Sequence, residues 1–263
     1  MLTFDRIERL EAEAGFAAFN TAPERVKQKF GLGSARIGGA VVLVTRKEPD
    51  GGRNTVTALC VDQPLGSGLI DKLIDFFRDA GVTRATFKVA VPALPADADH
   101  IRHVHGLTLG PSTVKLLRSS DPVPETRMTL KVAEAEPGQY ADVVSFAVDN
   151  FMIAAAHGPL MAGFLQRPDY HAFTAWDGGE LVAISVMRFL GDYGDLVGTV
   201  TLPSHRRRGA QTALVAARAA LAGERGVRWL VVETAVPPNS SHGNMLRLGF
   251  QEVYIRQQWI WSI

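Results

Sequence analysis

The chain has 263 residues, a length that fits one large domain or two small ones. Apolar residues make up 46% and charged residues 21%, which excludes a disordered chain and allows a sizeable hydrophobic core. Lys and Arg number 28 against 27 Asp and Glu, so no whole-molecule field draws the protein to nucleic acid or an acidic membrane, and neither half is a basic arm.

At the N-terminus, Phe4, Ile7, Leu10 and Phe16 recur at near-helical spacing with Asp5, Glu8 and Arg9 between them, which predicts an amphipathic helix over 3–19. Asp5, Glu8, Glu11 and Glu13 also break the apolar run that a secretory signal needs, and no stretch of about 18 apolar residues follows anywhere. A cytoplasmic protein is expected. After 31–39, apolar runs at 40–45 and 55–61 flank Pro49-Asp50-Gly51-Gly52, a hairpin signal. Cys60 is the single cysteine, which excludes an internal disulfide and a cysteine-based zinc site; in its apolar run it reads as a core residue. A helix over 69–80 with Ile70, Leu73, Ile74 and Phe77 on one face stops at Gly81. A strand at 83–91, a short helix at 97–105 and an extended stretch at 113–117 complete the first half.

Ser119 to Pro124 is polar and holds two prolines, which disfavours helix and central strand. It sets the expected division: a domain at 1–120, a linker at 121–125 and a second domain at 126–263. Beyond it the pattern predicts an extended stretch at 128–132, helices at 140–151 and 157–165, and strands at 170–176, 181–189 and 196–202, the first pair joined at Asp177-Gly178-Gly179. An alanine-rich helix at 211–222, a strand at 228–235, a short helix at 240–248 and a terminal strand at 250–261, with Val253, Ile255 and Ile260 alternating, close the chain. Residues 81–92 align without gaps on 226–237, sharing Gly, Val, Ala, Val and Pro. Each segment lies between a long helix and a short helix ending in a glycine, Gly106 or Gly249, which points to an internal duplication.

One segment carries chemistry. The strand at 196–202 runs through Pro203-Ser204-His205-Arg206-Arg207-Arg208-Gly209-Ala210-Gln211 straight into a helix. A basic, glycine-bearing turn at a helix N-terminus leaves backbone N–H groups unpaired beside the positive end of the helix dipole, a site for a phosphate or pyrophosphate. Gly209 lets the backbone approach the anion closely.

This segment resembles the coenzyme A signature of the GNAT superfamily of N-acetyltransferases: Arg or Gln, two residues, Gly, one residue, then Gly or Ala. Arg206, Gly209 and Gln211 occupy those places, with Gln211 departing from the small residue. Pro203 and Leu248-Gly249-Phe250 match residues that commonly flank the motif, and the element order from about 126 to 263 fits the fold. The resemblance implies an α/β (α+β) protein of two GNAT-like mixed-sheet domains in tandem, the first a degenerate copy. Where the repeat would place the coenzyme loop, that copy has Pro64-Leu65-Gly66-Ser67-Gly68 and no arginine. For the second half the resemblance implies an acetyl-CoA-dependent N-acetyltransferase. The backbone of Thr199, Val200 and Thr201 would pair with the pantetheine arm, the amides of Arg207, Arg208, Gly209, Ala210, Gln211 and Thr212 would hold the pyrophosphate, and Asn239 and Asn244 would add polar contacts.

The family's proton-donating tyrosine, four residues before the Gly of Leu-Gly-Phe, is Met245 here. His242 and Tyr254 are the nearby substitutes, unless the thiolate leaves unaided. Glu233, a carboxylate within an apolar strand, is the first candidate for the base; an ion pair at the sheet end is the structural alternative. Asp195 and His157 are weaker candidates. His100, His103 and His105 lack the further ligands of a metal site, and Gly31-x-Gly33 and Gly66-x-Gly68 lack the setting of a dinucleotide fingerprint. The expected partner is a small-molecule amine, with a homodimer allowed and neither nucleic acid nor membrane. A non-catalytic acyl-CoA sensor is the alternative function.

Overall fold

The computed structural model describes residues 2–48, 51, 53–126 and 130–263. The expected turn residues Pro49, Asp50 and Gly52, and the start of the stretch expected at 128–132, lie outside the described residues. The chain divides into two compact units, one of residues 1–115 with 253–263 and one of residues 116–252.

In chain order the first unit holds α1 (Phe4–Asn20), α2 (Glu24–Phe30), β1 (Leu32–Ile37), β2 (Ala40–Thr45), β3 (Thr55–Thr57), α3 (Ser67–Asp79), β4 (Arg84–Ala90), α4 (Ala98–Val104) and β5 (Thr108–Leu109). Strand β6 (Thr113–Ser119) runs across the division. The second unit holds β7 (Lys131–Glu134), α5 (Tyr140–Asp149), α6 (Gly158–Leu165), β8 (Tyr170–Asp177), β9 (Glu180–Leu190), β10 (Tyr193–Thr201), α7 (Ala210–Glu224), β11 (Trp229–Ala235) and α8 (Ser240–Arg247), and β12 (Gln251–Ser262) closes the chain.

In the first unit β1, β2 and β3 pair antiparallel in turn, β3 pairs parallel with β4, and β4 pairs antiparallel with β12. The predicted apolar stripe of α3 is buried, Ile70, Leu73, Ile74 and Phe77 packing with Phe87 and Val89 of β4 and with Trp259 and Trp261 of β12. The terminal strand, expected to complete the second domain, lies from Val253 onward in the first unit. Its facing also differs from the expected alternation. Val253 and Ile255 are exposed, while Tyr254 and Arg256 are buried. The reason is electrostatic: Glu8 of α1, itself buried, accepts hydrogen bonds from Tyr254 Oη at 2.6 Å and Arg256 Nη2 at 2.6 Å, and a buried carboxylate draws its partners inward.

The run expected as a strand at 55–61 stops at Thr57, because Ala58 and Cys60 turn into left-handed conformations at φ 54° and 67°. The segment 31–39 contains β1, with left-handed glycines at both ends: Gly31 at φ 61° caps α2, and Gly38 and Gly39 at φ 55° and 79° make the turn from β1 into β2.

In the second unit β7, β8, β9 and β10 pair antiparallel in sequence, and β10 pairs parallel with β11. Helices α5 and α6 bury Val143, Phe146, Met161 and Leu165 against Ala172, Ile184 and Val186 of β8 and β9. The predicted hairpin turn holds, with Asp177 opposite Glu180 and Gly178 at φ 60°. Strand β10 begins three residues before the expected Leu196, since Gly191-Asp192 makes a second two-residue hairpin turn with Leu190 opposite Tyr193.

The duplicated segments share a local geometry. After α3, Gly81 at φ 72° donates to Arg78 O and Val82 donates to Phe77 O. After α7, Gly226 at φ 67° donates to Gly223 O and Val227 to Ala222 O. Both helices thus end in the same left-handed glycine cap and feed a strand, β4 or β11, that runs parallel to the strand before the helix.

Candidate functional site

Strand β10 lays out the site. It pairs with β9 throughout, but the register shifts between Val197 and Thr199, where Gly198 takes φ 71°. A Cβ there would stand 2.2 Å from Met152 Cε, a side-chain end that can move aside, so it is the left-handed backbone that favours glycine. On its other edge β10 pairs with β11 from Tyr193↔Trp229 to Leu196↔Val232. Past these positions the strands continue to Thr201 and Ala235 without pairing to each other, which leaves backbone donors and acceptors on the parted edges for another extended chain. Glu233 is the first β11 residue beyond the last pair.

The chain then turns at 203–205 and enters α7 through two left-handed residues, Arg207 at φ 60° and Gly209 at φ 87°. This curl presents the unpaired N–H groups of the first turn of α7 at the positive end of its dipole. A cavity of about 730 Å³ opens over it, lined by Thr199, Val200, Thr201, Arg206, Arg207, Gly209, Ala210, Gln211, Thr212 and Asn244 of the predicted set, and by His205, Ser240, Ser241 and Arg247 besides. A second cavity of about 250 Å³ is lined by Glu233, Asn239, Met245 and Arg218 among others. Thr199, Gln211 and Ser241 line both, so the two adjoin.

Not every predicted residue takes part. Arg208 lines neither cavity; its guanidinium is 3.4 Å from Asp177, which also meets His205 Nε2 at 3.3 Å. The positive potential of the larger cavity comes from Arg206, Arg207 and Arg247. His242 is buried, with Nε2 2.7 Å from Glu252, and lines neither cavity. Tyr254 belongs to the first unit; its hydroxyl donates to Glu8, and burial beside that carboxylate pushes its pKa far up. Its proton is held for structural reasons. Asp195 is paired with Arg188 at 2.8 Å, and His157 stands at the N-terminus of α6.

Gln211 explains its own departure from the small residue. Its Nε2 donates to Ser241 Oγ at 3.0 Å and its Oε1 accepts from Asn244 Nδ2 at 2.8 Å, so the side chain ties the first turn of α7 to α8. Asn239 caps α8 by accepting from the His242 N–H at 3.1 Å. The sequence reading missed two cations. Arg247 follows Asn244 by three positions, on its side of α8, and donates to it at 3.4 Å. Arg218 lies four residues after Leu214 and four before Ala222, a helical stripe otherwise apolar and buried; a charge in such a stripe is the signal that could have found it.

The model of the Acetyltransferase (GNAT) family matches residues 141–250, which span nearly all of α5, then α6, β8–β11, α7 and α8. No curated protein matches the chain in sequence. Among solved structures, a GCN5-related N-acetyltransferase from Kribbella flavida superposes with a TM-score of 0.67 at 18% identity, covering 97% of this chain and 95% of that one. A GCN5-related N-acetyltransferase from Sphaerobacter thermophilus gives 0.63 at 16% identity, covering 98% and 91%. A tandem GNAT protein from the clavulanic acid biosynthesis pathway gives 0.61 at 17% identity, covering 98% and 94%. Residues 141–250 therefore match the Acetyltransferase (GNAT) family, and the fold over nearly the whole chain is that of a tandem GNAT protein.

Proposed function

We propose that the second unit binds acetyl-CoA and transfers its acetyl group to a primary amine by direct attack on the thioester. The observation that carries this reading is the pair of adjoining cavities running from the curled start of α7 to the gap between β10 and β11. The larger suits a pyrophosphate: backbone amides from Arg207 to Thr212, a helix N-terminus and Arg206, Arg207 and Arg247 converge on it. The parted strands suit the pantetheine arm, extended along Thr199 to Thr201. The smaller cavity then receives the thioester, with Asn239 at its wall and Glu233 as the base that removes a proton from the attacking amine. No covalent enzyme intermediate is needed.

The acceptor side is read from α5, α6 and the segment between them, where Met152 reaches the β10 bulge and Phe164 stacks on Tyr170 at 5.6 Å. These apolar surfaces favour a small or partly apolar amine over a polycation. In the first unit, α3 is entered through Gly66 in extended backbone, φ −143°, and without the arginines of the second unit's loop, which supports a copy that does not bind the coenzyme.

A second reading, a sensor that binds acyl-CoA without turnover, is favoured by Met245, which lines the smaller cavity and has no proton to donate. Thiol release from acetyl-CoA across a panel of small amines, aminoglycosides and peptide N-termini separates the two: a transferase releases coenzyme A with at least one of them, a sensor with none. Arg206→Glu and Gly209→Glu are expected to abolish acetyl-CoA binding with the fold kept. Normal binding by either variant would refute the pyrophosphate placement.

A further inference from the structure

Attack of an amine on a thioester expels a thiolate, so a site for that reaction gains from a positive charge near the sulfur. Among the described residues lining the smaller cavity, the charged groups are Glu233 from β11 and Arg218 from α7; the rest of the lining is hydroxyls, the amides of Gln211 and Asn239, a thioether and apolar groups. Arg218 is 1% exposed. Its Nε donates to Leu214 O at 3.0 Å, Nη1 to Val186 O at 3.4 Å and Nη2 to Thr199 Oγ1 at 3.3 Å. These acceptors are neutral, and no carboxylate among the described residues pairs with the guanidinium. A guanidinium has five N–H donors, so two remain after these three bonds.

A buried cation without a counter-ion is costly in a stable fold, and its placement is specific. Val186 lies opposite Val197, at the edge of the β10 bulge, and Thr199 is the first residue after it. Arg218 is thereby locked at the point where β10 and β11 part, with its planar fork held by three bonds in advance of any ligand.

We propose that Arg218 is a catalytic residue that stabilises the departing thiolate of coenzyme A, in a cavity with no proton donor at Met245. The proposal rests on the reading of the second unit as an acetyl-CoA site. In the step, the nitrogen lone pair forms the C–N bond at the carbonyl carbon and the amine proton passes to Glu233. The C–S bond then breaks with its electron pair on sulfur, and the resulting thiolate faces Arg218 until it is protonated on release. Burial lowers the pKa of Arg218 to about 9, which leaves the guanidinium charged at neutral pH and so able to act as an anion partner rather than an acid.

The test uses the full chain with coenzyme A itself, its binding followed by calorimetry and its thiol titrated by thiolate absorbance in the ultraviolet. A cation beside the sulfur favours the charged form, so the bound thiol is expected to titrate at least about one unit below the free thiol, a tenfold shift. Arg218→Met is expected to bind coenzyme A, to lose that shift and to lower kcat by about 10²-fold with a much smaller change in KM; Arg218→Lys is expected to keep most of the shift. A bound thiol titrating in its ordinary range in the native chain overturns the assignment, and so does a shift that survives in Arg218→Met. The native titration decides the matter even where the methionine variant does not fold. Absence of coenzyme A binding in the native chain would instead overturn the acetyl-CoA reading on which the assignment stands.

Discussion

Glu8 and Arg218 are each 1% exposed, and they solve the problem of a buried charge in opposite ways. Glu8 is surrounded by donors: Tyr254 Oη, Arg256 Nε at 2.9 Å and Arg256 Nη2 all reach its Oε1, and Arg256 also meets Glu11 at 2.7 Å. This saturated network is structural, and removing the Glu8 charge should cost about 3 kcal/mol; Glu8→Gln is expected to lower the urea midpoint without changing the slope. Tyr254 adds a pH dependence. Its folded-state pKa is raised, first by burial and then by Glu8, so its contribution is intact below the ordinary tyrosine value of about 10 and is lost as the pH rises above it, where the unfolded chain releases the proton. In a phenolate absorbance titration, Tyr254 should ionise only as the protein unfolds, and Tyr254→Phe should remove that late component. Cys60 is half-buried at the margin of the first unit's core, and that burial pushes its thiol up to about 12. It is expected to react with alkylating reagents far more slowly than free cysteine at pH 8, and rapid modification of the native protein would contradict that.

Elements whose cause is local were legible in the sequence. The stripe of α3, the glycine turn between β8 and β9, and the strand, basic turn and helix at 196–222 carry their signals within a few residues. Other features depend on distant partners. The inward facing of Tyr254 and Arg256 requires Glu8 on another element, and the β10 bulge shows in sequence only as Gly198 in a strand pattern. The early start of β10 was hidden because Gly194 reads as a breaker, yet a small residue fits there: a Cβ would stand 3.0 Å from Met187 Sδ and 3.2 Å from Leu230 Cδ2, a tight site. Which residues of the basic turn line the larger cavity was legible in the sequence except for Arg208, whose direction depends on Asp177 of the β8–β9 turn. Gln211 offers a test at this scale. Replacing it by Gly, the small residue of the motif, removes the bonds to Ser241 and Asn244 and adds a glycine to the first turn of α7; a loss of about 2 kcal/mol is expected in chemical denaturation. No loss would mean that the link between α7 and α8 has no energetic role.

At the scale of the whole chain, the repeated glycine caps after α3 and α7 support two halves of common design, but the unit boundaries do not follow the linear order of the halves. Trp259 and Trp261 fill the core of the first unit, and Arg256 neutralises Glu8 within it. A fragment of residues 1–125 therefore lacks part of its own core and is expected to be unfolded or insoluble; a cooperative thermal transition for that fragment would show that β12 is dispensable to it. The central claim is that one half keeps the coenzyme site and the other does not. Calorimetric titration of the full chain with acetyl-CoA tests it most directly. The account predicts saturable binding of one coenzyme per chain, with thermal stabilisation that grows with ligand concentration; no heat with no stabilisation, or two equivalents per chain, would contradict it.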